Sequence, residues 1–583
     1  MRDNRNSLLP WNVLVFLMLL VFADGAGGSE WHVSKVGLDD VSNDQQVRNI
    51  QQGIERSQPG DKIIIHGGVY REKVVIEKGG TKQAPITICA AEGGFVVITG
   101  ADRLTDLKRH SDNESENIYI CKWPYTFISW VDSHTHPNDD YHNLIGRCEQ
   151  VFVNSYALKQ VLTKEKLSRG TFYADIDAQQ LYLWAYNNAD ISGDRDMVEA
   201  STRDTILQCE GDFIHIKGLR FRYAANKAQQ GAVDIEGDDC IVQDGVFEWV
   251  NSCGVEFSGE RIEVKNCVFQ NNGQLGFSAG NAHGLKMAGC VVCNNNIKGF
   301  NRGWEAGGNK ITRTRDMIIE DCVFHDNFGH GIWFDISNEN CEVRNCLIAD
   351  NQNAGIFYEI SYSLHAHDNV IVGNGFAFDP DAWGANAGIS LSSSENCIVE
   401  RNLLVGNKEG ISLREQKRST RRLGSRTSEE IWNKGHIVRN NVLAYNQDAQ
   451  VWGWFDIDDE RHWPESMQKQ HRAEQADDDA DNTERTKKFS LEDLRLTFED
   501  NLYCPGPGRE LFIWGARWKR SQHFDSLDDI QKILGLEKNS FVGKFNAANI
   551  SGLDLRVKPN SAALTRGCYP KGEVPRVILG ILK

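Results

Sequence analysis

The sequence predicts an all-β fold, a right-handed parallel β-helix in which short strands coil into stacked turns. A motif of extended residues that ends in Asn, Asp or Gly recurs from about residue 212, with a base spacing of 22–24 residues. Each unit consists of apolar runs of three to six residues broken by Gly and Asn. Such short runs indicate strands, whereas helical repeats need longer stretches with 3.6-residue periodicity. A leucine-rich repeat has a similar spacing, but its leucine consensus is missing.

Length, charge and hydropathy exclude several classes of protein. The 583 residues exceed what one ordinary compact core accommodates, which favours an elongated repeat or several domains. The 81 acidic residues outnumber the 64 Lys and Arg, giving a net charge of −17 that disfavours a nucleic-acid partner. A mean hydropathy of −0.45 excludes a polytopic membrane protein.

Residues 1–26 have the layout of a signal peptide. Arg2 and Arg5 precede the uncharged apolar run Trp11–Phe22, and small residues follow it. The run is too short to span a bilayer, so we expect a secreted or periplasmic protein without a stable membrane span once the signal is removed. An uncleaved anchor is the alternative.

The remaining chain divides by its repeat pattern. We expect an N-terminal capping helix over Asp44–Gln58, and loops that leave the β-helix at 415–436 and 455–490. The predicted domains are the N-terminal cap and first coils (30–100), a small β elaboration (101–210), the β-helix with its active-site loops (211–520) and a C-terminal cap (521–583).

Cysteines recur with the repeat. Cys267, Cys290, Cys322 and Cys346 each stand one residue after the motif's final Asn, Asp or Gly. Equivalent positions of neighbouring coils stack about 4.8 Å apart, so these cysteines predict an interior column of small buried side chains. Nothing in the pattern requires disulfides, and a single CxxC does not predict a zinc site.

A second strand of each coil opens with glycine and carries the candidate site. The segments that bear on the site are Gly331–Asp335, Gly355–Glu359 and Gly410–Arg414. Because side chains alternate along a strand, the first and third residues after the glycine face inward and the second and fourth face outward. Trp333 and Asp335 therefore share an outer face with their equivalents in the next coils.

The outer face predicts a carbohydrate site. Trp333 and Phe357 would present aromatic rings to solvent, which suits stacking against a sugar. Asp335 and Glu359 should lie about 5 Å apart, close to the carboxyl separation in retaining glycosidases, with one acting as acid and the other as nucleophile or base. Two alternatives stay open: loops cover the aromatic residues as a satellite core, or the carboxylates form a solvated surface or a structural cation site.

Insertions beside this face supply further candidates. If Gly303 opens its strand, Glu305 points outward beside Trp333, and Lys310 can act as a cationic clamp or a base. The insertion Phe376–Ala387 brings Trp383 to the same side. The predicted substrate-binding residues are Trp304, Glu305, Lys310, Trp333, Phe357, Trp383 and Arg414.

The chain resembles the pectin-lyase-like superfamily of carbohydrate-active β-helix proteins. The resemblance rests on Pro59-Gly60-Asp61, then Gly68-Val-Tyr-Arg-Glu72, then the Asn-anchored coils, and it covers most of 30–520. Val557–Ala563 resembles the closing segment of many bacterial members. The resemblance implies a poly- or oligosaccharide substrate. Its motifs are specific for the fold, but they do not identify the reaction.

Two subgroups of the superfamily imply different reactions. Alginate- and chondroitin-type lyases, as in polysaccharide lyase family 6, place a metal-binding Glu five residues before a catalytic Lys, an offset that Glu305 and Lys310 match. Those lyases then use an Arg where this chain has Asp335. Glycoside hydrolases such as family 141 use carboxylates, which fits Asp335 and Glu359 better.

We therefore expect an exported glycoside hydrolase that requires no cofactor. The first alternative is a lyase for uronate-containing glycans that uses calcium. The second is a carbohydrate-binding or structural β-helix without catalysis.

Overall fold

The computed structural model has three long parallel sheets wound into a right-handed coil, which confirms the predicted fold. It describes residues 28–110, 116–129, 143–191, 193, 197–377, 386–455, 462–467, 490–516, 520–545, 547–549 and 554–557. The predicted signal peptide lies outside these residues. Within the described ranges, no helix is both long and apolar enough to cross a membrane.

Each coil contributes one strand to each sheet, and the described residues form 14 strands in sheet I and 13 each in sheets II and III. In spatial order, the strands of sheet I are Gln46–Val47, Glu30–Val33, Lys62–Ile65, Ile86–Ala90, Ile214–Lys217, Ile241–Gln243, Glu263–Lys265, Lys286–Ala288, Ile318–Glu320, Glu342–Arg344, His365–His367, Ile398–Glu400, Ile437–Arg439 and Thr497–Glu499. Those of sheet II are Gly68–Tyr70, Val96–Thr99, Leu219–Arg222, Val246–Glu248, Val268–Gln270, Val291–Cys293, Val323–His325, Leu347–Ala349, Val370–Val372, Leu403–Val405, Val442–Ala444, Leu502–Cys504 and Phe541–Val542. Those of sheet III are Val74–Ile76, Leu207–Cys209, Gly231–Ile235, Cys253–Phe257, Leu275–Gly280, Gly307–Thr312, Ile332–Asp335, Ile356–Glu359, Ala387–Ser392, Glu409–Glu415, Ala449–Phe455, Glu510–Ala516 and the antiparallel Arg520–Phe524.

The core is a bundle of columns in which like side chains stack from coil to coil. Phe221, Phe247 and Phe269 form one such column, with successive ring centroids 5.1 Å apart. The predicted cysteine column is present, since Cys267, Cys290, Cys322 and Cys346 are all buried. Every cysteine of the described residues is a free thiol.

The cysteine column continues as asparagines. The Cys346 backbone N–H donates to Asn369 Oδ1 at 3.0 Å, and the same contact recurs along Asn369, Asn402, Asn441 and Asn501. The sequence motif counts all four of these asparagines as its final Asn, Asp or Gly, the left-handed turn position, which is one residue too late. That position is held instead by the preceding residues, which have positive φ: Asp368, Arg401, Asn440 and Asp500.

Other elements lie outside the coils. The predicted helix over Asp44–Gln58 is shorter: an α-helix spans Ile50–Arg56, capped by Asn49, and the residues before it form the 3-10 turn Asn43–Gln45 and the strand Gln46–Val47. Further helical segments among the described residues include Leu144–Gly146 and Lys164–Lys166 (3-10) and Leu491–Leu494 and Leu527–Leu534 (α).

The β elaboration forms two small sheets over its own apolar core. Their strands are Lys159–Gln160, Thr171–Asp175, Gln180–Trp184, Ile118–Lys122 and Lys108–Arg109 in one sheet, and Tyr156–Ala157, Val151–Val153, Val198–Ser201 and Ala101–Arg103 in the other. A separate pair, Ala547–Asn549 and Asp554–Val557, lies near the C-terminal end of the described chain.

The segment predicted as a loop at 415–436 is a β-hairpin. Arg418–Arg421 pairs with Ser428–Ile431, and the hairpin lies against the turns that follow sheet III. Thr420 Oγ1 is 2.6 Å from Ser337 Oγ, and the Leu423 N–H donates to Glu339 Oε1 at 2.8 Å. These contacts bring the basic residues of the hairpin next to the candidate site.

Candidate active site

The outer face of sheet III aligns the predicted site residues in two columns. Trp333 pairs in register with Phe357, and Lys310 precedes them in the same column. In the second column Asp335 is followed by Glu359, Ser392 and Arg414. Neighbouring strands lie about 4.8 Å apart, so the two carboxylate-bearing residues are direct neighbours.

Lys310 and Asp335 form a buried ion pair. The Lys310 ammonium donates to Asp335 Oδ2 at 2.6 Å and lies 3.4 Å from the centre of the Trp333 ring. The side chains are 7% and 10% exposed, so the ion pair is largely removed from water. Asp335 Oδ1 is buried and has no hydrogen-bond partner among the described residues. One carboxylate oxygen is therefore held by Lys310, whereas the other is buried without a hydrogen bond from the described residues.

Glu359 is buried beside this pair and has a perturbed pKa. Burial and the neighbouring charge of Asp335 raise the pKa of Glu359, while the cations around it, above all Arg414, act in the opposite direction. Arg418 of the hairpin donates to Glu359 Oε1 at 3.2 Å, and Arg414 lies 4.0 Å from the same oxygen. A raised pKa favours the protonated carboxyl, the form that a general acid needs.

The aromatic residues of this face are covered, contrary to the expectation of an open wall. Trp333 is 3% and Phe357 2% exposed, and both pack with Ala354. The ring of His330 lies 4.7 Å from that of Trp333 and 4.6 Å from that of Phe357. The satellite-core alternative thus describes their packing better than a solvent-exposed stacking surface.

His330 is a site residue that the sequence analysis missed. Burial lowers its pKa well below the usual value, and the nearby Lys310 and Arg414 add to this effect. The imidazole is therefore neutral, and its buried Nδ1 has no partner in the described part of the chain. Its position directly before Gly331, the residue that opens the strand, was the feature of the sequence that could have indicated a place beside the site.

The strand before the site begins later than predicted. It spans Gly307–Thr312, so Gly303 does not open it and Glu305 lies in the preceding turn with φ of 79°. Glu305 accepts a hydrogen bond from Gln229 Nε2 at 2.7 Å, and burial raises its pKa. Trp304 packs on the cluster around Phe300 instead of lying over the carboxylates. Trp383 lies outside the described residues.

An acidic cavity continues the first column towards the N-terminus. Asp234, Glu256 and Ser278 occupy successive positions of the column that leads to Lys310. Asp234 and Glu256 line a cavity of about 410 Å³. Burial, with help from the charge of Glu256, raises the pKa of Asp234 to about 7. The sequence pattern did not predict this cavity.

Comparison with known proteins supports the fold. The family model for the right-handed β-helix region matches residues 205–404, and the model for chondroitinase B matches residues 44–111. No curated protein matches the sequence. The second match includes the Pro59–Glu72 stretch on which the resemblance rests.

Two solved structures are similar over most of the chain. One, described as the complex structure of XylC with xylose, is 18% identical with a TM-score of 0.61 and covers 83% of this chain and 85% of its own. The other, described as a glycoside hydrolase, is 13% identical with a TM-score of 0.50 and covers 71% of this chain and 96% of its own. At these identities the likeness establishes the fold alone, which is the right-handed parallel β-helix predicted from the sequence.

Proposed function

We propose that the protein hydrolyses glycosidic bonds in an oligo- or polysaccharide, with Glu359 as general acid and Asp335 as nucleophile. The observation that carries the proposal is the placement of the two carboxylates on adjacent strands in different environments. Glu359 has a raised pKa, and Asp335 is held by the Lys310 ammonium. Paired carboxylates with divergent environments are the arrangement that acid and nucleophile roles require.

The strand spacing favours retention of configuration. A separation near 5 Å leaves no room for a water between the second carboxylate and the sugar, so that carboxylate attacks the anomeric carbon directly. Glu359 donates its proton to the glycosidic oxygen as the bond breaks, and Asp335 forms a glycosyl ester. Glu359 then takes a proton from the incoming water, which cleaves the ester and regenerates both groups.

The burial of the pair bears on the kind of substrate. The side chains of Asp335 and Glu359 are only 10% and 7% exposed, so a long polysaccharide cannot lie across them in this conformation. We propose that the enzyme acts on chain ends or short oligosaccharides. The XylC–xylose neighbour makes xylose-containing oligosaccharides the first substrates to test.

The test is a panel of glycans monitored for new reducing ends and for the ultraviolet absorbance of unsaturated uronates. We expect reducing ends without absorbance, and proton NMR should show that the first-formed sugar keeps the anomeric configuration of the substrate. Absorbance would identify a lyase, and that outcome is disfavoured because Lys310, the candidate base, is paired with Asp335. Binding without any product would identify the non-catalytic alternative.

Matched amide variants assign the roles. Glu359→Gln and Asp335→Asn should each lower kcat at least about 10³-fold, within the range expected for acid–base and nucleophile removal. Glu263→Gln is the control, because Glu263 is a half-buried residue of sheet I paired with Lys265. Full activity in either amide variant contradicts the assignment.

A further inference from the structure

Sheet I carries a cluster of metal-ligating side chains on its outer face. Glu342 lies directly beside His365 on the adjacent strand, and His367 follows two residues later on the same face. One potential ligand atom from each of these three residues lies within 4.8 Å of the other two. His367 Nε2 is 2.8 Å from Glu342 Oε1, and the two imidazole centroids are 4.1 Å apart.

Each histidine already has a carboxylate on one ring nitrogen. His367 Nδ1 is 2.6 Å from Asp368 Oδ2, and His365 Nε2 is 3.1 Å from Glu400 Oε1. In protein metal sites, a ligating imidazole commonly donates its second nitrogen to a carboxylate, which fixes the tautomer and aims the first nitrogen at the ion. The Asp368 contact leaves His367 Nε2 facing Glu342, as that arrangement requires.

The charges around the cluster suit a cation. Arg344 pairs with Glu320 and Glu342, while Arg401 pairs with Asp368 and Glu400 and Arg439 pairs with Glu400. His367 contacts both Glu342 and Asp368 and so joins the two groups into one network of four carboxylates and three guanidinium groups. The network has one net negative charge when both histidines are neutral. Arg344 also donates to Glu342 Oε1 at 2.7 Å, and such a hydrogen bond orients a ligating carboxylate.

The competing interpretation is an ion network without metal. In that network His367 lies between two acids, with Nδ1 2.6 Å from Asp368 Oδ2 and Nε2 2.8 Å from Glu342 Oε1. A metal would replace the second of these hydrogen bonds.

We propose that Glu342, His365 and His367 bind a divalent zinc ion. Two imidazoles and one carboxylate are ligands that Zn²⁺ accepts, and a water molecule completes its tetrahedral coordination. The His365 side chain is 37% exposed, which gives the ion and its water access from solvent. The spacing of 23 residues between Glu342 and His365 hides the site in the sequence, because it spans one coil.

The site joins the two coils that carry the candidate catalytic pair. Glu342 follows Asp335 in one coil, and His365 follows Glu359 in the next. A metal that links the two coils on sheet I would hold them at a fixed offset on sheet III. The proposed metal therefore has a structural role and lies on a different sheet from the candidate catalytic carboxylates.

Zinc titration of the metal-free full-length protein by calorimetry tests this proposal without an activity assay. We expect one Zn²⁺ per chain and a higher melting temperature with zinc, and Co²⁺ in its place should give the visible absorption of a four-coordinate site. His365→Ala and Glu342→Gln should weaken binding at least about 100-fold, more than the loss of a supporting residue. His215→Ala is the matched control, because His215 lies on the same sheet several coils away and should leave binding unchanged.

Two results would overturn the proposal. One is the absence of saturable zinc binding in the unaltered chain, which leaves the histidines as members of an ion network only. The other is equal affinity in His365→Ala, Glu342→Gln and the His215→Ala control, which places the zinc elsewhere. Circular dichroism of each variant confirms that it is folded, and neither result bears on the proposed hydrolase activity.

Discussion

Replacement of Lys310 by Met tests the buried ion pair that orients the candidate nucleophile. Methionine keeps the apolar contact with the Trp333 ring but removes the charge that lies 2.6 Å from Asp335 Oδ2. Loss of one partner of a buried pair costs about 3–5 kcal/mol, because the remaining charge is uncompensated. An unfolding entropy of about 2.1 cal/mol/K per residue gives roughly 1.2 kcal/mol/K for a chain of this size. The melting temperature should therefore fall by about 2.5–4 °C.

The double variant makes this prediction falsifiable. In Lys310→Met with Asp335→Asn, no buried charge is left without a partner, so scanning calorimetry should show recovery to within about 1 °C of the unaltered protein. Asp335→Asn alone leaves the ammonium without its carboxylate and should also melt lower. An unchanged melting temperature in Lys310→Met, or no recovery in the double variant, would refute the inference that the pair is buried and coupled.

Three further predictions follow from the site and from the coils that support it. Burial raises the pKa of Glu359, so kcat should fall as the pH rises through that raised pKa and the general acid loses its proton. Arg418→Met removes a cation that lowers this pKa, so the fall in kcat should occur at higher pH in the variant. Gly331→Ala should lower both melting temperature and activity, because a Cβ would stand 2.7 Å from a carbonyl oxygen of the next coil, whereas Gly37→Ala meets nothing within 4 Å and should change neither. Asn351→Leu breaks four buried hydrogen bonds and, at about 1–3 kcal/mol per unsatisfied group, should lower the melting temperature by several degrees in calorimetry.

The ion pair changes what strand alternation alone predicts for the amide variants. Alternation places both carboxylates on the outer face, and for exposed carboxylates Asp335→Asn and Glu359→Gln would leave the melting temperature nearly unchanged. Asp335, however, is a partner in a buried pair. Spacing reveals that two acids are neighbours, whereas it does not reveal what covers them.

The periodicity of the sequence was sufficient for the fold because each coil repeats the same local choices. Gly331 and Gly355 mark strand starts, and alternation then placed Asp335 and Glu359 on one face, as the structure confirms. The same logic failed at Gly303, because the coil there is longer and its strand begins only at Gly307. An insertion breaks the periodicity, so the start of the strand after it depends on tertiary pairing.

Contacts between segments that are distant in the sequence could not be predicted, for a different reason. Arg418 reaches Glu359 only because a hairpin folds back across the turns. The burial of Trp333 and its ring contact with His330 depend on tertiary packing, which the alternation of side chains along a strand does not predict. The zinc ligands are likewise brought together by coil stacking.

The change from cysteine to asparagine along one interior column has a consequence for how such a protein can lengthen. At Cys346 the backbone N–H donates to an asparagine, whereas at Cys267 and Cys290 it donates to a sulfur. The position thus accepts either side chain from its successor. A duplicated coil would form this backbone hydrogen bond with the coil on either side. Whole coils could therefore be gained or lost in this column without substitutions in the neighbouring coils.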